Sequence, residues 1–100
     1  MSDWITSGVV IAHDVGLHAR PSVKLTKLAK GFAAKIEIAS AAQGPWIDAK
    51  SIVKVMALKA KQNAFLHVRA QGADAAPAIK ALITLIESDF DEAAVDAAGR

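Results

Sequence analysis

The chain has 100 residues, of which 53% are hydrophobic and 22% charged, and its formal net charge is +2. These proportions fit one small globular domain with a single core and exclude an intrinsically disordered chain. The absence of cysteine excludes disulfides, thiolate zinc sites and cysteine nucleophiles. No apolar run could cross a bilayer, and the first residues lack the pattern of a signal peptide. We therefore expect a cytoplasmic protein without membrane attachment.

The charge is unevenly distributed along the chain. Residues 1–61 contain nine basic and four acidic side chains, whereas residues 62–100 contain three basic and six acidic ones. A basic surface on the first part would attract acidic partners or phosphate groups. It also suggests a small nucleic-acid-binding domain, but the few aromatic residues are not interleaved with basic ones as such domains require. We therefore expect no nucleic-acid partner.

The first predicted elements are a strand, a helix and a second strand. The β-branched run from Ile5 to Ile11 predicts a strand, and after a loop over 12–18 a helix is predicted from about Arg20 to Lys30. Its core face consists of Ser22, Leu25, Thr26 and Ala29, and its exposed lysines are Lys24, Lys27 and Lys30. Gly31 is a natural helix end. The alternation over 34–39 predicts a second strand with Ile36 and Ile38 on one face.

Two further strands and two helices follow. A turn over 43–45 allows a short antiparallel strand over 46–49, and Ser51 is the expected N-cap of a helix over 52–58. The alternation from Phe65 to Ala70 predicts a strand whose outward side chains include His67 and Arg69. Gly72-Ala73-Asp74 opens the last helix. The core stripe of that helix is Ile79, Leu82, Ile83 and Ile86.

The order β-α-β-β-α-β-α predicts a two-layer α+β sandwich, in which helices pack on one face of a four-stranded sheet. From Phe90 onward the chain is acidic and rich in alanine, without periodicity. We therefore expect one domain over 1–90, followed by a frayed, flexible tail or linker over 91–100.

An imidazole and a guanidinium lie two residues apart where the first helix is predicted to begin, in the run Gly16-Leu17-His18-Ala19-Arg20-Pro21. A helix start exposes unpaired N–H groups and the positive end of the macrodipole, and both attract anions. A neutral imidazole is a nucleophile, and arginine binds phosphate oxygens in a two-pronged geometry. This combination predicts a histidine that accepts a phosphoryl group and passes it on.

Two separated motifs resemble one family. The run over 16–21 is similar to the active-site signature of HPr, the histidine phosphocarrier of the bacterial phosphoenolpyruvate-dependent sugar phosphotransferase system. The run Asp48-Ala49-Lys50-Ser51-Ile52, followed by Val55-Met56-Ala57-Leu58, resembles its second signature, around a regulatory serine. The resemblance covers residues 4–90 and implies the family's open-faced β-sandwich with a four-stranded antiparallel sheet.

The resemblance also implies roles for individual residues. His18 would accept a phosphoryl group on Nδ1 from enzyme I, charged by phosphoenolpyruvate, and donate it to an enzyme IIA-type partner in sugar uptake or its regulation. Arg20 and the backbone of Ala19, Arg20, Pro21 and Ser22 would hold the phosphate. Such a protein is a transiently bound, monomeric carrier rather than an enzyme. It needs no cofactor and no metal.

The faces of the first two helices are the expected docking surface, an apolar centre within a basic rim. Its predicted members are Val23, Lys27, Lys30, Lys50, Ile52, Val53, Lys54 and Met56. Ser51 has two interpretations that the residues leave open: a structural N-cap, and a regulatory site that a serine kinase and phosphorylase would modify. An alternative function is a regulatory binding module that uses the surface around Ser51 and leaves His18 idle. The presence of both His18 and Arg20 argues against this alternative.

Some residues receive no function or depart from the family pattern. A zinc site from His13, Asp14 and His18 has acceptable ligand types but no recognised spacing, and His67 is interpreted as a surface residue. Ser22 replaces the alanine that is common in the family, and Lys59 and Asn63 lie where glycines are common. The tail also leaves open that the chain is a module of a larger multiphosphoryl-transfer protein.

Overall fold

The sheet has the spatial strand order β1-β4-β2-β3, and every neighbouring pair is antiparallel. The computed structural model describes residues 4–11, 19–61, 63–88 and 90. Its elements are β1 (Ile5–Val10), α1 (Ala19–Lys30), β2 (Lys35–Ala39), β3 (Ile47–Asp48), α2 (Ile52–Leu58), β4 (Phe65–Gln71) and α3 (Ala75–Glu87). The predicted element order and the α+β sandwich are confirmed. The predicted loop over 12–18 and tail over 91–100 lie outside the described residues.

The core lies between one face of the sheet and the helices. Leu66, Val68 and Ala70 of β4 are fully buried there, as are Ile36 and Ile38 of β2, which confirms both predicted alternations. α3 packs on β1 and β4, while α1 packs between α3 and α2. Of the predicted stripe of α3, only Ile83 is half-buried rather than buried, because it lies at the edge of the helix face in contact with the core.

The register fixes the directions of α1 and α2. β1 ends beside the start of β4, where Val10 pairs with Phe65, and β2 starts beside the end of β4, where Lys35 pairs with Gln71. α1 connects β1 to β2 and therefore runs from the first end of the sheet to the second, while α2, which leads from β3 into β4, runs back. We call the first end the loop end, because the chain leaves β1 there and enters residues 12–18.

α1 buries the predicted face and exposes most of its lysines. Pro21, Ser22, Leu25, Thr26 and Ala29 are its buried residues, and the helix ends at Lys30, before Gly31. The prediction that Lys24 is exposed is wrong. Its side chain is half-buried, and its ammonium group donates a hydrogen bond of 2.9 Å to the carbonyl oxygen of Phe90.

Phe90, the last residue of the predicted domain over 1–90, is part of the core. Its exposed fraction is 1%, and its N–H donates to the carbonyl of Leu85 at 2.7 Å. The residue has a φ of 63°, a left-handed conformation that costs a side chain about 1–2 kcal/mol. Burial of a phenylalanine ring contributes about 1.5–3 kcal/mol and offsets that cost. The folded core therefore extends beyond the end of α3 to Phe90.

The start of α3 is fixed to β2 by a carboxylate. Asp74 is the N-cap residue of α3, yet its side chain makes no capping bond. Instead it accepts hydrogen bonds from the N–H groups of Ala33 and Ala34, at 2.9 and 2.7 Å. Gly72 has a φ of 136°, and a Cβ there would lie 3.1 Å from the Cα of Ala34. Glycine therefore lets the chain pass close enough to β2 for Asp74 to bind.

The outer face of the sheet carries four ring side chains and one arginine that pack together. We call this group the outer aromatic cluster: Trp4, Trp46, Phe65, His67 and Arg69. The Arg69 guanidinium lies 4.2 Å from the ring centroids of both Trp4 and Trp46. It donates two hydrogen bonds, of 2.9 and 2.6 Å, to one carboxylate oxygen of Glu37. The His67 ring lies edge-on to Phe65, at 4.8 Å between centroids. His67 and Arg69 face away from the core as predicted, but this cluster leaves both only half-exposed.

Candidate functional site

The first turn of α1 brings an exposed arginine to the loop end of the molecule. Ala19 begins the helix, and Ala19 and Arg20 are both exposed, whereas Pro21 and Ser22 are buried. His18, the predicted phosphoryl acceptor, lies outside the described residues and directly precedes Ala19 in the chain. Because Pro21 has no N–H, it cannot donate to a phosphate, which corrects one of the four predicted backbone positions. Arg20 can offer its guanidinium to an anion at this helix start.

The hydroxyl of Ser22 is buried in the same turn without a partner among the described residues. Ser22 has an exposed fraction of 0%, and its Oγ makes no hydrogen bond there. The hydroxyl of Thr26, one turn later, donates instead to the carbonyl oxygens of Ser22 and Val23 at 3.0 and 3.1 Å. A buried hydroxyl without a partner costs about 1–3 kcal/mol. The departure from alanine at this position therefore lowers the stability of the helix that carries Arg20.

Replacing Ser22 by alanine is expected to raise the free energy of unfolding by about 1 kcal/mol, because it improves helix propensity and removes a buried hydroxyl that has no partner within the described ranges. Urea unfolding monitored by circular dichroism would measure this. Thr26→Val is the matched control, since it removes a buried hydroxyl that has acceptors, and it should lower stability instead. Equal effects of the two substitutions would contradict the explanation.

The residues of the predicted docking surface lie on α1 and α2, which pack against each other, and just before α2. Val23, Val53 and Met56 are exposed, and the exposed fraction of Val53, 74%, is the largest among them. Lys27, Lys30 and Lys54 are exposed around these apolar side chains, and Ile52 is half-buried. Val55 is fully buried and attaches α2 to the core. A protein partner could bury the apolar centre and pair with the basic rim.

Lys50 differs from the expected rim residue. Its ammonium group donates a hydrogen bond of 2.7 Å to the carbonyl oxygen of Phe32, just after α1, and its side chain is half-buried. The lysine therefore joins the end of α1 to the start of α2 at the end of the molecule opposite the loop end. Its charge is less available to a partner than the charges of Lys27 and Lys54.

Ser51 is the N-cap of α2, as predicted. Its Oγ accepts a hydrogen bond from the N–H of Lys54 at 3.4 Å, and its backbone is extended. The side chain is half-buried rather than enclosed. A capping role is therefore confirmed by geometry, and the hydroxyl lies between the lysines of the docking surface.

Sequence reasoning did not find the outer aromatic cluster, where Arg69 lies between two tryptophan rings. Basic and aromatic side chains are thus interleaved in space, although they are not in the sequence. Glu37 forms a salt bridge with Arg69, which reduces the positive charge that this arginine offers to a phosphate backbone. The ammonium group of Lys35 also lies at the cluster, 5.8 Å from the centroid of the Trp4 ring.

The described residues contain no group of three or more histidine and acidic side chains that could hold a metal ion. The zinc ligands considered from sequence, His13, Asp14 and His18, lie outside the described residues. No helix in the described part of the chain is long and apolar enough to span a membrane.

The fold and site define a class: small α+β domains that present an arginine at a helix start beside a helical face with exposed apolar and basic side chains. The family model for the "PTS HPr component phosphorylation site" matches residues 5–88. The phosphocarrier protein HPr of Cupriavidus necator is 39% identical over 82 residues, which cover 82% of this chain and 90% of that protein. The phosphocarrier protein NPr of Proteus mirabilis is 34% identical over 84 residues, covering 84% of this chain and 92% of that protein.

Solved structures agree with these relatives. The crystal structure of HPr-C-His from Thermoanaerobacter tengcongensis superposes with a TM-score of 0.79 at 35% identity, covering 86% of this chain and 94% of that one. The chain belongs to the HPr family of phosphocarrier proteins of the phosphotransferase system. The family resemblance predicted from the two sequence motifs is thereby confirmed.

Proposed function

We propose that this protein accepts a phosphoryl group on Nδ1 of His18 from enzyme I and donates it to an enzyme IIA-type acceptor in the cytoplasm. Arg20 stabilises the phosphate. The observation that carries the proposal is the exposed Arg20 in the first turn of α1, two residues after His18, in a member of the HPr family.

The proposed transfer exchanges one P–N bond for another. The lone pair of His18 Nδ1 attacks the phosphorus atom of the donor's phosphohistidine while the donor's P–N bond breaks, and the donor's imidazole regains its lone pair. The three phosphoryl oxygens keep their negative charge throughout. The positive end of α1 and the guanidinium of Arg20 stabilise that charge by about 1–2 kcal/mol. A contribution of this size favours the loaded state without trapping the phosphate.

The docking face suits an acidic partner that leaves quickly. Its exposed apolar side chains, Val23, Val53 and Met56, are few, so a partner buries only a small apolar area. The lysines around them provide attraction at long range and speed the encounter. Since the outer aromatic cluster lies on the opposite face of the sheet, it stays clear of the partner.

The direct test is incubation of the purified protein with labelled phosphoenolpyruvate and the organism's own enzyme I. A phosphohistidine forms an acid-labile, alkali-stable bond, and one label per chain is expected. A chain that stays unlabelled beside an active enzyme I would refute the proposal.

A second part of the proposal is that phosphorylation of Ser51 regulates docking. A phosphate adds a charge of about −1.5 to −2 to the hydroxyl, and Ser51 lies beside the exposed Lys54 on the docking face. Ser51 phosphorylation would therefore repel an acidic partner.

Ser51→Asp is expected to lower kcat/KM for transfer from enzyme I by about tenfold, because the carboxylate opposes the acidic partner. Aspartate is itself a good N-cap, so thermal stability should stay unchanged. Ser51→Asn caps equally well without a charge and is the control. Loss of transfer in both variants would show that the hydroxyl itself, and not charge, is needed.

A further inference from the structure

Lys59 adopts a backbone conformation that favours glycine. It is the C-cap residue of α2, with φ 54° and ψ 37°, and its N–H donates to the carbonyl of Met56 at 3.2 Å. A residue with a Cβ is strained in this left-handed region, whereas glycine adopts it readily. The side chain of Lys59 is exposed, so burial does not compensate for the strain.

The strain lies at the loop end of the molecule. α2 runs toward this end, and the connection after it reaches β1, because the N–H of Asn63 donates to the carbonyl of Ile11 at 2.7 Å and Ile11 donates to Ala64 at 3.0 Å. Ile11 is the last described residue before residues 12–18, which include His18. α1 starts at the same end with Ala19 and Arg20. Lys59 and Arg20, which are both exposed, thus lie at the same end of the molecule.

Stability does not account for a lysine at this position. Among the described residues, the only salt bridge joins Arg69 to Glu37, so no ion pair there involves Lys59. A cation near the end of a helix is favoured by the macrodipole, but a lysine within the last turn would give the same benefit in a relaxed backbone. The last turn of α2 has no basic residue. Strained residues that the fold does not require occur preferentially at functional sites.

We propose that Lys59 is a docking residue for the phosphoryl donor, enzyme I, and that its ammonium group pairs with a carboxylate of that protein. The inference rests on the proposed function and adds a contact at the loop end of the docking face. A rim cation of this kind accelerates the encounter with an acidic partner and leaves the chemical step unchanged.

The experiment measures the initial rate of phosphoryl transfer from the organism's own enzyme I as a function of carrier concentration and of salt. Lys59→Gly and Lys59→Asn remove the charge while accepting the left-handed backbone, and Lys59→Arg keeps the charge. Lys61→Asn is the matched control, since Lys61 is an exposed lysine of the same connection.

Both uncharged variants should raise KM for the carrier about threefold to tenfold, leave kcat unchanged and weaken the dependence of the rate on salt. Lys59→Arg and Lys61→Asn should behave like the wild type. Lys59→Gly should also raise the midpoint of thermal unfolding by about 4 °C, because it removes the strain.

A wild-type KM in Lys59→Gly, beside an active wild-type carrier, overturns this inference alone. A wild-type chain that accepts no phosphate overturns the proposed function and this inference with it.

Discussion

Replacement of His18 by alanine is expected to abolish labelling by enzyme I and phosphoenolpyruvate, with the residual signal at background. The described part of the molecule supplies the exposed Arg20 and the proposed docking face, but the nucleophile of the proposed transfer is the imidazole nitrogen of His18. Without it no P–N bond can form, and neither Arg20 nor a backbone amide can replace it. The measurement is acid-labile label per chain, by filter binding after alkaline quenching.

A second histidine provides the control for this loss. His67 lies in the outer aromatic cluster, packed edge-on against Phe65 on the sheet face opposite the helices, so His67→Ala should be labelled fully. The thermal midpoint of His18→Ala should match that of the wild type, which separates loss of the acceptor from loss of the fold. Persistent labelling of His18→Ala, or loss of labelling in His67→Ala, would assign the phosphate to a different side chain.

Elements whose determinants are local in the sequence were predicted correctly. The face of α1 follows from apolar spacing within twelve residues, and the start of α2 follows from one hydroxyl three residues before the N–H that it caps. The strands of the sheet follow from alternation, and Ile36, Ile38, Leu66 and Val68 are buried as the pattern requires. Such features depend on neighbours within one or two turns of chain, which the sequence displays directly.

Contacts between distant residues were not predictable in the same way. Lys24 and Phe90 are 66 residues apart, and nothing local distinguishes Lys24 from the neighbouring exposed lysines. Trp4, Trp46 and Arg69 come from three separate segments and meet only because the strand order places β4 in the centre of the sheet. Polarity alone therefore overestimated the exposure of Lys24.

The candidate site also has a part that local sequence predicts and a part that depends on contacts between distant residues. The motif over 16–21 indicated the chemistry, because nucleophile, cation and helix start are adjacent in the chain. The docking face required the packing of α1 on α2, and its rim was predicted less well: the structure attaches Lys50 to the carbonyl of Phe32. The sequence already identified Lys59 as a lysine where the family commonly has glycine, and the structure adds that its backbone is left-handed.

Phe90→Ala is expected to lower the free energy of unfolding by about 3–5 kcal/mol, the usual range when a buried phenylalanine leaves a cavity. Phe90 is 1% exposed, and it also holds the carbonyl that Lys24 binds. A domain of this size is stable by about 5–15 kcal/mol, so the substitution would remove a large fraction of the free energy of unfolding. Guanidinium unfolding curves measure the loss, and Phe90→Leu, which keeps most of the apolar volume, should cost about 1.5 kcal/mol or less.

Phe65 is the matched control for this prediction, because it is the same residue type with 50% of its surface exposed. Its ring lies over Gly8 and beside His67 on the outer face of the sheet, so Phe65→Ala should cost only about 1 kcal/mol. A large loss at Phe90 with a small loss at Phe65 extends the folded domain past the end of α3. Similar losses at both positions would mean that the segment after α3 adds nothing to the core.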